Sequence, residues 1–451
     1  MSFKNESDTS STTRREFLKH SSKATVGAAL GSSFVSRAQE EGTRTVKIGL
    51  VGCGGRGTGA AANALQTNGP TQLWAMADVF PHRLEGSQKI LDKKFGTEVA
   101  VPQERQFIGF NAFKKVIDSL GPGDLVILTT PPAFRPIHLE YAVEKGVNVF
   151  MEKSFAVDAP GIRRVISAGE AAKKKNLKIA GGLMSRHSIS LEQAVKFIHD
   201  GGIGEVITAW AYRMHGPVGV KARQPDMTEL AYQISNYSCF TWLNGSFIVD
   251  WLIHNIDVCC WVKNDWPVSV QGMGGRQVRQ TADQLFDHYE AEYTFADGTR
   301  MLAQARHMNQ CHNFFGDVIH GATGSAVLGE GITKPRIFKS HQQTAANQIW
   351  QYEGSPKDAY QEEHDRLFHA IRTDSPYNET ERCAKSCMTA IMGRMACETG
   401  RRITWEEAID SGHQLAPDLE HINSLNDPAP ILPNPQGDYQ IAMPGSTLAT
   451  A

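Results

Sequence analysis

The 451-residue chain has little net charge and no long apolar run. Its 46 Lys and Arg side chains nearly balance 48 Asp and Glu side chains, which leaves a formal net charge of −2. Without residues 1–38, which hold six basic and three acidic residues, the net charge would be −5. The chain therefore lacks the basic surface that nucleic-acid binding requires. No apolar segment reaches membrane-spanning length, so we expect no transmembrane helix in the mature protein.

Metal-binding patterns are also missing. The eight cysteines are scattered and lack the paired spacing of zinc ribbons, which indicates free thiols. His307, His312 and His320 suggest a metal, but they lack Cys or Asp partners at ligand spacing, so we predict no metal. At 41% hydrophobic and 21% charged residues, the chain is globular, and its length predicts two domains or one large α/β unit.

The first 38 residues have the order of parts of an export signal. Thr13-Arg14-Arg15-Glu16-Phe17-Leu18-Lys19 matches the twin-arginine pattern, and a weakly apolar stretch and Ser36-Arg37-Ala38 follow. The alternative is a disordered basic tail. We expect export to the periplasm with residues 1–38 removed.

A glycine-rich turn follows the first apolar run, 46–51. Gly52, Gly54 and Gly57 fit the spacing G-x-G-x-x-G, and a helix is predicted over 58–66. In this pattern the glycines permit a tight turn, close approach of a pyrophosphate and close packing of helix on strand. Backbone N–H groups of Gly55, Arg56 and Gly57 then point at the phosphates. An ordinary turn without a ligand is the alternative.

Asp78 ends the next predicted strand, 72–77, and lies 21 residues beyond Gly57. At that position a carboxylate binds the ribose diol and repels a 2′-phosphate. We therefore predict NAD rather than NADP as the cofactor, although Arg83 nearby leaves NADP open. After a helix over 81–95, the segment 96–110 is predicted to be irregular.

Two further buried strands end in polar or rigid turns. The strand 124–128 leads into Thr129-Thr130-Pro131-Pro132, and the strand 147–151 leads into Glu152-Lys153-Ser154. In a parallel sheet, ligands bind at this carboxyl edge of the strands.

This set of motifs resembles the glucose–fructose oxidoreductase / inositol dehydrogenase (Gfo/Idh/MocA) family. The family's usual triplet is Glu-Lys-Pro, whereas this chain has Ser154 in place of the proline. The resemblance implies that Lys153 lies beside the nicotinamide and hydrogen-bonds the reacting hydroxyl. It adds Thr130, Pro131, His138 and Glu152 to the cofactor site. A solvated loop lysine is the alternative for Lys153.

The family's fold has an N-terminal Rossmann domain, a doubly wound parallel sheet, and a C-terminal α+β domain with a large open, mostly antiparallel sheet. The resemblance places the first domain at 44–183, the second at 184–411 and an irregular tail at 412–451. Six strand-like runs between 206 and 328, with a hairpin turn at Asp297-Gly298, agree with the second domain.

A helix predicted over 248–261 carries Asp250, His254 and Asp257 at i, i+4 and i+7. This spacing puts all three side chains on one face, which suits acid–base chemistry, because a carboxylate orients the imidazole and keeps its pKa near the working pH. By the resemblance, His254 is the general base and Asp250 orients the sugar or the histidine, while Asp257 is assigned to structure. A salt-bridged surface helix is the alternative.

Four other residues are weaker candidates for substrate binding. They are Arg186, His187, Tyr237 and His288.

The sequence thus predicts an NAD-dependent oxidoreductase that acts on a CH–OH group of a sugar or sugar derivative. Because the periplasm has no pool of free cofactor, we expect the NAD to be held tightly and regenerated within each cycle, so that the overall reaction is redox-neutral. The alternative is an NAD-dependent glycosidase that oxidises, eliminates, adds water and reduces again. A catalytically silent sugar-binding protein is the third possibility. By analogy with the family, we expect a homo-oligomer.

Overall fold

The computed structural model describes residues 44–329, 334–355 and 357–446. The export signal predicted for residues 1–38 lies outside the described residues, as do the last five residues of the tail. Among the helices of the described part, none combines the length and the apolar character that crossing a membrane requires.

The first sheet has six parallel strands in the order β3-β2-β1-β4-β5-β6. Because helices cover both faces, β4 and β5 are buried along their whole length. The continuous apolar sequence of β4 predicts this burial, whereas β5 begins with the buried polar residue Asn148. The doubly wound parallel sheet is therefore confirmed. Its strands are β1 Val46–Val51, β2 Thr71–Asp78, β3 Gln106–Ile108, β4 Leu125–Leu128, β5 Asn148–Met151 and β6 Ile179–Gly181.

Five helices accompany these strands. The helix predicted over 81–95 has those bounds in the structure. The prediction that 96–110 is irregular is wrong at Gln106–Ile108, which adds an edge strand beside β2. The helices are α1 Gly55–Leu65, α2 Pro81–Phe95, α3 Ala112–Asp118, α4 Arg135–Lys145 and α5 Ala159–Lys174.

The second sheet has nine strands in the order β14-β13-β12-β11-β7-β10-β9-β8-β15. Among the described strand pairs of this second sheet, only β7 and β10 are parallel and the others are antiparallel, so the predicted mostly antiparallel sheet is confirmed. The strands are β7 Val206–His215, β8 Ser269–Gly275, β9 His288–Thr294, β10 Arg300–His307, β11 Phe314–Gly321, β12 Ser325–Val327, β13 Arg336–Phe338, β14 Gln348–Gln351 and β15 Ile403–Thr404.

The segment predicted as one helix over 248–261 begins differently. Ile248–Leu252 forms a π-helical turn, and the α-helix starts only at Ile253. A π turn holds more residues than an α turn and shifts the face on which side chains lie. Asp250 lies in the π-helical turn, so the α-helical spacing that predicts Asp250 and His254 on one face does not apply to it.

The remaining helices pack on one side of the second sheet or cover the first. The nearly fully buried helix 380–399 packs on β8 and β9 and on the helix 159–174, while 359–373 packs on the helix 55–65. These helices are α6 Ile189–His199, α7 Glu229–Ser235, α8 Thr241–Asn244, α9 Ile253–Lys263, α10 Ala359–Thr373, α11 Thr380–Thr399 and α12 Trp405–Asp410.

Candidate active site

The glycine-rich turn between β1 and α1 is built as tightly as its sequence predicts. Gly52 has φ +96°, and a Cβ there would lie 2.8 Å from the backbone carbonyl carbon of Thr129. A Cβ on Gly57 would lie 2.0 Å from the carbonyl oxygen of Gly52. Only glycine avoids these overlaps, so the two positions are fixed by the backbone itself.

Gly54 and Gly55, in contrast, face open space. No protein atom lies within 4 Å of a Cβ built at either residue. They line a cleft of about 830 Å³ that also receives the ends of β2 and β4. Because the strand order reverses between β1 and β4, this cleft is the switch point at which such sheets bind ligands. The first turn of α1, which has no side-chain cap, begins there.

Asp78 is held at the rim of this cleft by two backbone hydrogen bonds. The N–H of Cys53 donates to Oδ2 at 2.7 Å, and the N–H of Phe80 donates to Oδ1 at 2.9 Å. The carboxylate is thereby fixed in orientation beside the glycine turn. Arg83 lines the same cleft and lies over the ring of Phe80, with its Cζ 4.6 Å from the ring centroid.

The turn after β4 forms the opposite wall of the cleft, where Thr130, Pro131 and His138 line it together. The Oγ1 of Thr130 is 3.2 Å from Nδ1 of His138, and the imidazole stacks on Phe113 with 4.1 Å between ring centroids. Burial and the charge of Arg135 lower the pKa of His138 to about 3. The imidazole is therefore neutral and positions Thr130 rather than carrying charge.

Glu152 and Arg56 connect the glycine turn to the strand end that carries Lys153. The Nε of Arg56 is 2.9 Å from Oε1 of Glu152, and its guanidinium lies over the ring of Tyr360. Burial raises the pKa of Glu152, while the charges of Arg56 and Lys153 oppose that rise. In this structure Arg56 is thus directed at Glu152; its predicted contact with a phosphate stays a prediction.

Lys153 is bonded to Asp250. Its Nζ donates to Oδ1 of Asp250 at 2.8 Å and also to the backbone carbonyl of the same residue. The adjacent Ser154 donates to the carbonyl of Val249 at 2.7 Å, so the turn after β5 is fixed to the π-helical turn at two points. Burial lowers the pKa of Lys153, but the charge of Asp250 outweighs it and the pKa is raised. Lys153 is therefore a cation with one N–H donor still free.

His254 is 8% exposed, and its Nδ1 has no hydrogen-bond partner among the described residues. The sequence predicts a carboxylate beside this imidazole that keeps its pKa near the working pH. The structure contradicts that detail, because Asp250 is taken by Lys153. Burial and the charges of Lys153 and Arg213 instead hold the pKa of His254 well below its usual value, against the opposing charge of Asp257.

Asp257 lies in a separate contact, away from the Lys153–Asp250 pair. The Nε of Arg186 is 2.7 Å from its Oδ2, and the Oγ of Ser386 donates to Oδ1 at 2.6 Å. Burial raises the pKa of Asp257, but the charge of Arg186 outweighs it, so the carboxyl is ionised. Arg186 is therefore committed to the helix 253–263, and its predicted contact with substrate finds no support in this geometry.

The other three weak candidates lie in different places. Tyr237 lines the cofactor cleft and is close enough to Asp250 for that charge, with burial, to raise the pKa of its phenol. His187 is 2% exposed and lies 3.5 Å from Glu379, behind the strand end. His288 lies on the second sheet, with its Nδ1 2.9 Å from Oδ1 of Asp287. The structure brings only Tyr237 to the Lys153–Asp250 pair.

Two residues of the site carry no signal in the sequence. Trp251 follows Asp250, and its ring centroid is 6.0 Å from Nζ of Lys153. Arg213, near the end of β7, has its Cζ 5.3 Å from the same centroid. The alternation of β7 indicates that Arg213 and the buried Ala211 share a face. Nothing in the sequence indicates that this face meets the Lys153 turn.

The described residues fit a dinucleotide. The open space beside Gly54 and Gly55, the uncapped helix start and the fixed Asp78 are what a pyrophosphate and a ribose diol require. Tyr237 lines the same cleft and is close enough to Asp250 and Lys153 for their charges to act on its phenol, and Lys153 acts in turn on His254. No cluster of three or more metal-ligating side chains occurs in the described parts of the chain, and the absence of a metal stays a prediction.

The fold is a Rossmann sheet joined to an α+β domain with an open sheet, and this is the fold of known dehydrogenases. Scyllo-inositol dehydrogenase from Lactobacillus casei, solved with bound NAD(H) and scyllo-inositol, superposes with TM-score 0.60 at 19% identity, covering 80% of this chain and 100% of that chain. No protein-family model matches the chain.

Two sequence relatives point in the same direction. The inositol 2-dehydrogenase of Pseudomonas fluorescens is 28% identical over 261 residues, 57% of this chain and 66% of the relative. The glycosyl hydrolase family 109 protein 1 of Bacteroides thetaiotaomicron is 26% identical over 163 residues, 36% of this chain and 33% of the relative. The chain thus spans slightly less than two thirds of the first relative and a third of the second. Together with the shared fold, these relatives support the resemblance to the Gfo/Idh/MocA family.

Proposed function

We propose that the protein is an NAD-dependent oxidoreductase that acts on a CH–OH group of a sugar or sugar derivative. The observation that carries the proposal is the bond between Lys153 and Asp250, close to Tyr237 on the wall of a cleft that fits a dinucleotide. It joins the turn that follows the parallel sheet to the π-helical turn of the second domain. The inositol 2-dehydrogenase relative and the fold shared with an NAD(H)-binding dehydrogenase support the same class.

We propose NAD rather than NADP because Asp78 faces the place where a ribose diol would lie. A fixed carboxylate accepts hydrogen bonds from a diol and repels a 2′-phosphate. Its two backbone hydrogen bonds prevent it from turning away. Arg83 on the other side of the cleft is the residue that would favour a phosphate.

Lys153, His254 and Asp250 each have a separate role in the proposed reaction. A bound nicotinamide supplies the hydride acceptor. Lys153 has used two of its three N–H donors on Asp250, so the third is free to hold the sugar hydroxyl. His254 is neutral at ordinary pH and has a buried, unpartnered nitrogen, so it accepts the hydroxyl proton. Asp250 keeps Lys153 charged and oriented.

The test is spectroscopic. Purified protein is mixed with NAD⁺ and a panel of sugars, inositols and glycosides while the absorbance of reduced nicotinamide is followed. Lys153→Ala is the test variant, and Lys145→Ala, an exposed lysine on α4 paired with Asp118, is the control. The proposal requires that at least one sugar reduces the nicotinamide with wild type and with Lys145→Ala, but not with Lys153→Ala. If the protein binds NAD⁺ and no sugar reduces it, the proposal fails.

Tyr237 favours a second candidate, an NAD-dependent glycosidase. Elimination of an aglycone beside a new carbonyl needs an acid–base group besides Lys153 and His254. Tyr237 lines the cleft near both Lys153 and Asp250. The glycosyl hydrolase family 109 relative supports this candidate. Solvent deuterium incorporated at the carbon next to the oxidised position, with no net reduced nicotinamide, would favour the glycosidase. Two-sugar ping-pong kinetics would favour the oxidoreductase.

We further propose that the protein is exported by the twin-arginine pathway to the periplasm and that its cofactor stays bound and is regenerated within each cycle. The motif at Arg14-Arg15 supports export. Cell fractionation of wild type and of a variant with both arginines replaced by lysine tests export. Nucleotide released from the denatured, as-isolated protein tests retention: an empty protein that needs added NAD⁺ for every turnover would contradict it.

We also propose domain limits of 44–183 and 184–411, followed by a tail from 412.

The protein is proposed to be a homo-oligomer, and the open second sheet is the surface through which copies of the chain would pair. Its outward side exposes apolar residues such as Ile207 and Met273. Sedimentation of the purified protein tests the oligomer, and a monomer at micromolar concentration would contradict it.

A further inference from the structure

Arg213 is a cation beside the site that pairs with no carboxylate among the described residues; burial lowers its pKa, and Tyr360 and the charge of Asp250 oppose this only in part. Its guanidinium forms no hydrogen bond or ion pair with any described residue, and its Nε is buried without an acceptor. The guanidinium instead lies between two aromatic rings, with Cζ 3.9 Å from the centroid of Phe315 and 5.3 Å from that of Trp251. Aromatic faces stabilise a cation and leave its N–H donors unused.

Three other basic side chains named for the site are paired. Each lies within 3 Å of a carboxylate oxygen: Arg56 and Glu152 at 2.9 Å, Lys153 and Asp250 at 2.8 Å, and Arg186 and Asp257 at 2.7 Å. Arg135 also lacks an ion pair, but it is only 1% exposed and donates to the backbone carbonyl of Thr130. Among these five cations, Arg213 alone is half-buried and without an ion pair among the described residues.

Trp251 adds a second unused donor. Its Nε1 is buried and has no acceptor among the described residues. The indole ring also connects the two cations, with Nζ of Lys153 at 6.0 Å and Cζ of Arg213 at 5.3 Å from its centroid. An indole N–H and a guanidinium N–H can only donate hydrogen bonds. This wall of the site therefore complements a ligand group that only accepts them.

The charge of Arg213 also acts on His254. Burial comes first and the charge of Lys153 second, but Arg213 is a further cause of the low pKa of that imidazole, which Asp257 only partly opposes. An anion seated on Arg213 would cancel its contribution and make His254 a stronger base. The site therefore gains both binding and basicity from a negatively charged substrate.

We propose that Arg213 and Trp251 bind a carboxylate carried by the substrate, so that the protein acts on an acidic sugar such as a uronic acid. The inference rests on the oxidoreductase function proposed above. A carboxylate fits better than a phosphate because a single guanidinium without an ion-pair partner matches a monoanion. The planar carboxylate also matches the planar fork of the guanidinium.

The experiment compares glucose with glucuronate, galactose with galacturonate, and glucose with glucose 6-phosphate, as substrates of the NAD-loaded protein. Three variants are measured beside wild type: Arg213→Gln, Arg213→Lys and the control Arg300→Gln. Arg300 is an exposed arginine on β10, paired with Glu292 at 3.0 Å. Calorimetric binding of glucuronate to each variant gives a readout that does not depend on turnover.

Wild type and Arg300→Gln are expected to prefer the uronate over the neutral sugar by about 10- to 100-fold in kcat/KM, the worth of a charge-assisted contact. Arg213→Gln brings that ratio to about 1 and weakens glucuronate binding by the same factor, while Arg213→Lys keeps part of both. Neutral sugars used as well as uronates, preference for the phosphate, or an unchanged ratio in Arg213→Gln would overturn the inference. No reaction with any sugar would instead overturn the proposed function.

Discussion

Lys153 and Asp250 are 97 positions apart in the chain and are joined by an ion pair of 2.8 Å. The lysine ends the turn after the fifth strand of the nucleotide sheet, and the aspartate lies in the π-helical turn that precedes α9. The side chains are 20% and 5% exposed, so the pair is screened from water on most sides. The proposed chemistry therefore depends on a contact between the two halves of the molecule.

The contributions of this ion pair to catalysis and to stability can be measured separately with a single and a double variant. Lys153→Ala leaves the Asp250 carboxylate buried without a partner, which costs about 3–5 kcal/mol of unfolding free energy. Adding Asp250→Asn removes the orphan charge, so the double variant is expected to recover most of the stability. Its turnover stays about 10²- to 10⁴-fold below wild type, since the donor to the hydroxyl is still missing.

Urea unfolding and sugar-dependent reduction of NAD⁺ measure the two quantities. Lys145→Ala, on the exposed face of α4, is the control and should change neither by much. Wild-type turnover in the double variant would show that Lys153 has no catalytic role.

The cofactor preference depends on Asp78. Replacing it with Ala removes the acceptor for the ribose diol and the repulsion of a 2′-phosphate, so NAD⁺ is expected to bind about tenfold or more weakly and NADP⁺ relatively better. Fluorescence titration with both nucleotides measures the ratio. Asp92→Ala, at an exposed site on α2, is the matched control. If the ratio of NAD⁺ affinity to NADP⁺ affinity is unchanged in Asp78→Ala, the carboxylate only stabilises the turn and does not select the cofactor.

The activity of wild type should be insensitive to His254 protonation near neutral pH. Burial and the charges of Lys153 and Arg213 hold the pKa of His254 well below its usual value, so the neutral base is present at neutral pH. The acid limb of kcat/KM, where His254 becomes protonated, then lies at lower pH than for an ordinary imidazole. Arg213→Gln removes one cause of the low pKa, so its acid limb moves to higher pH. A limb that stays in place or moves to lower pH would contradict this reading.

Glu379 provides a pH-dependent contribution to stability. Burial raises its pKa, but the charge of Arg382, His187 and the N–H of Gly181 outweigh burial and lower the pKa to about 2. Because the folded pKa lies below the unfolded value of about 4.5, the contribution is fully present above pH 4.5 and is lost as pH falls towards 2. It amounts to about 3 kcal/mol.

The unfolding free energy of wild type and Glu379→Gln, measured between pH 7 and pH 3, tests this. The difference between the two should be largest at pH 7 and shrink as the pH falls. Glu381→Gln, an exposed residue on the same helix, is the control. A difference that grows on acidification has the wrong sign for a depressed carboxyl pKa.

Gly57 tests the packing of the glycine turn. A methyl group there would meet the carbonyl oxygen of Gly52 at 2.0 Å, so Gly57→Ala is expected to lose about 2–3 kcal/mol or more. At Gly86, in the helix 81–95, no atom lies within 4 Å of a Cβ, and Ala should stabilise by about 0.5–1 kcal/mol. Thermal unfolding of the two variants gives the comparison. Equal stability of Gly57→Ala and wild type would mean that the turn is looser than described.

Much of the nucleotide half is predictable because buried parallel strands have continuous apolar sequences. The strand predicted over 124–128 is Leu125–Leu128, and the glycine turn, Asp78 and the Lys153 turn follow from strand ends that must share one edge. Short edge strands escape such reasoning. Gln106–Ile108 and Ile403–Thr404 are too short for any periodicity, and their pairing is decided by the neighbouring strand.

The site is harder to predict where it depends on the meeting of the two halves. The π-helical turn at Ile248–Leu252 is a change in backbone hydrogen bonding that the apolar sequence does not reveal. The sequence pairs Asp250 with His254, whereas in the structure its partner is Lys153, since the π-helical turn redirects its side chain. Arg213 and Trp251 belong to the site only because β7 ends opposite the Lys153 turn, which is a tertiary relationship.

The most direct test of the central claim is a single-turnover experiment with a sugar deuterated at the reacting carbon. Purified protein with bound NAD⁺ is mixed with the labelled and unlabelled sugar, and the nicotinamide is then isolated and examined by mass spectrometry. The account predicts one deuterium in the nicotinamide, a slower reaction with the labelled sugar, and loss of both signals in Lys153→Ala. A nicotinamide that stays unlabelled while the sugar is bound or consumed would contradict it.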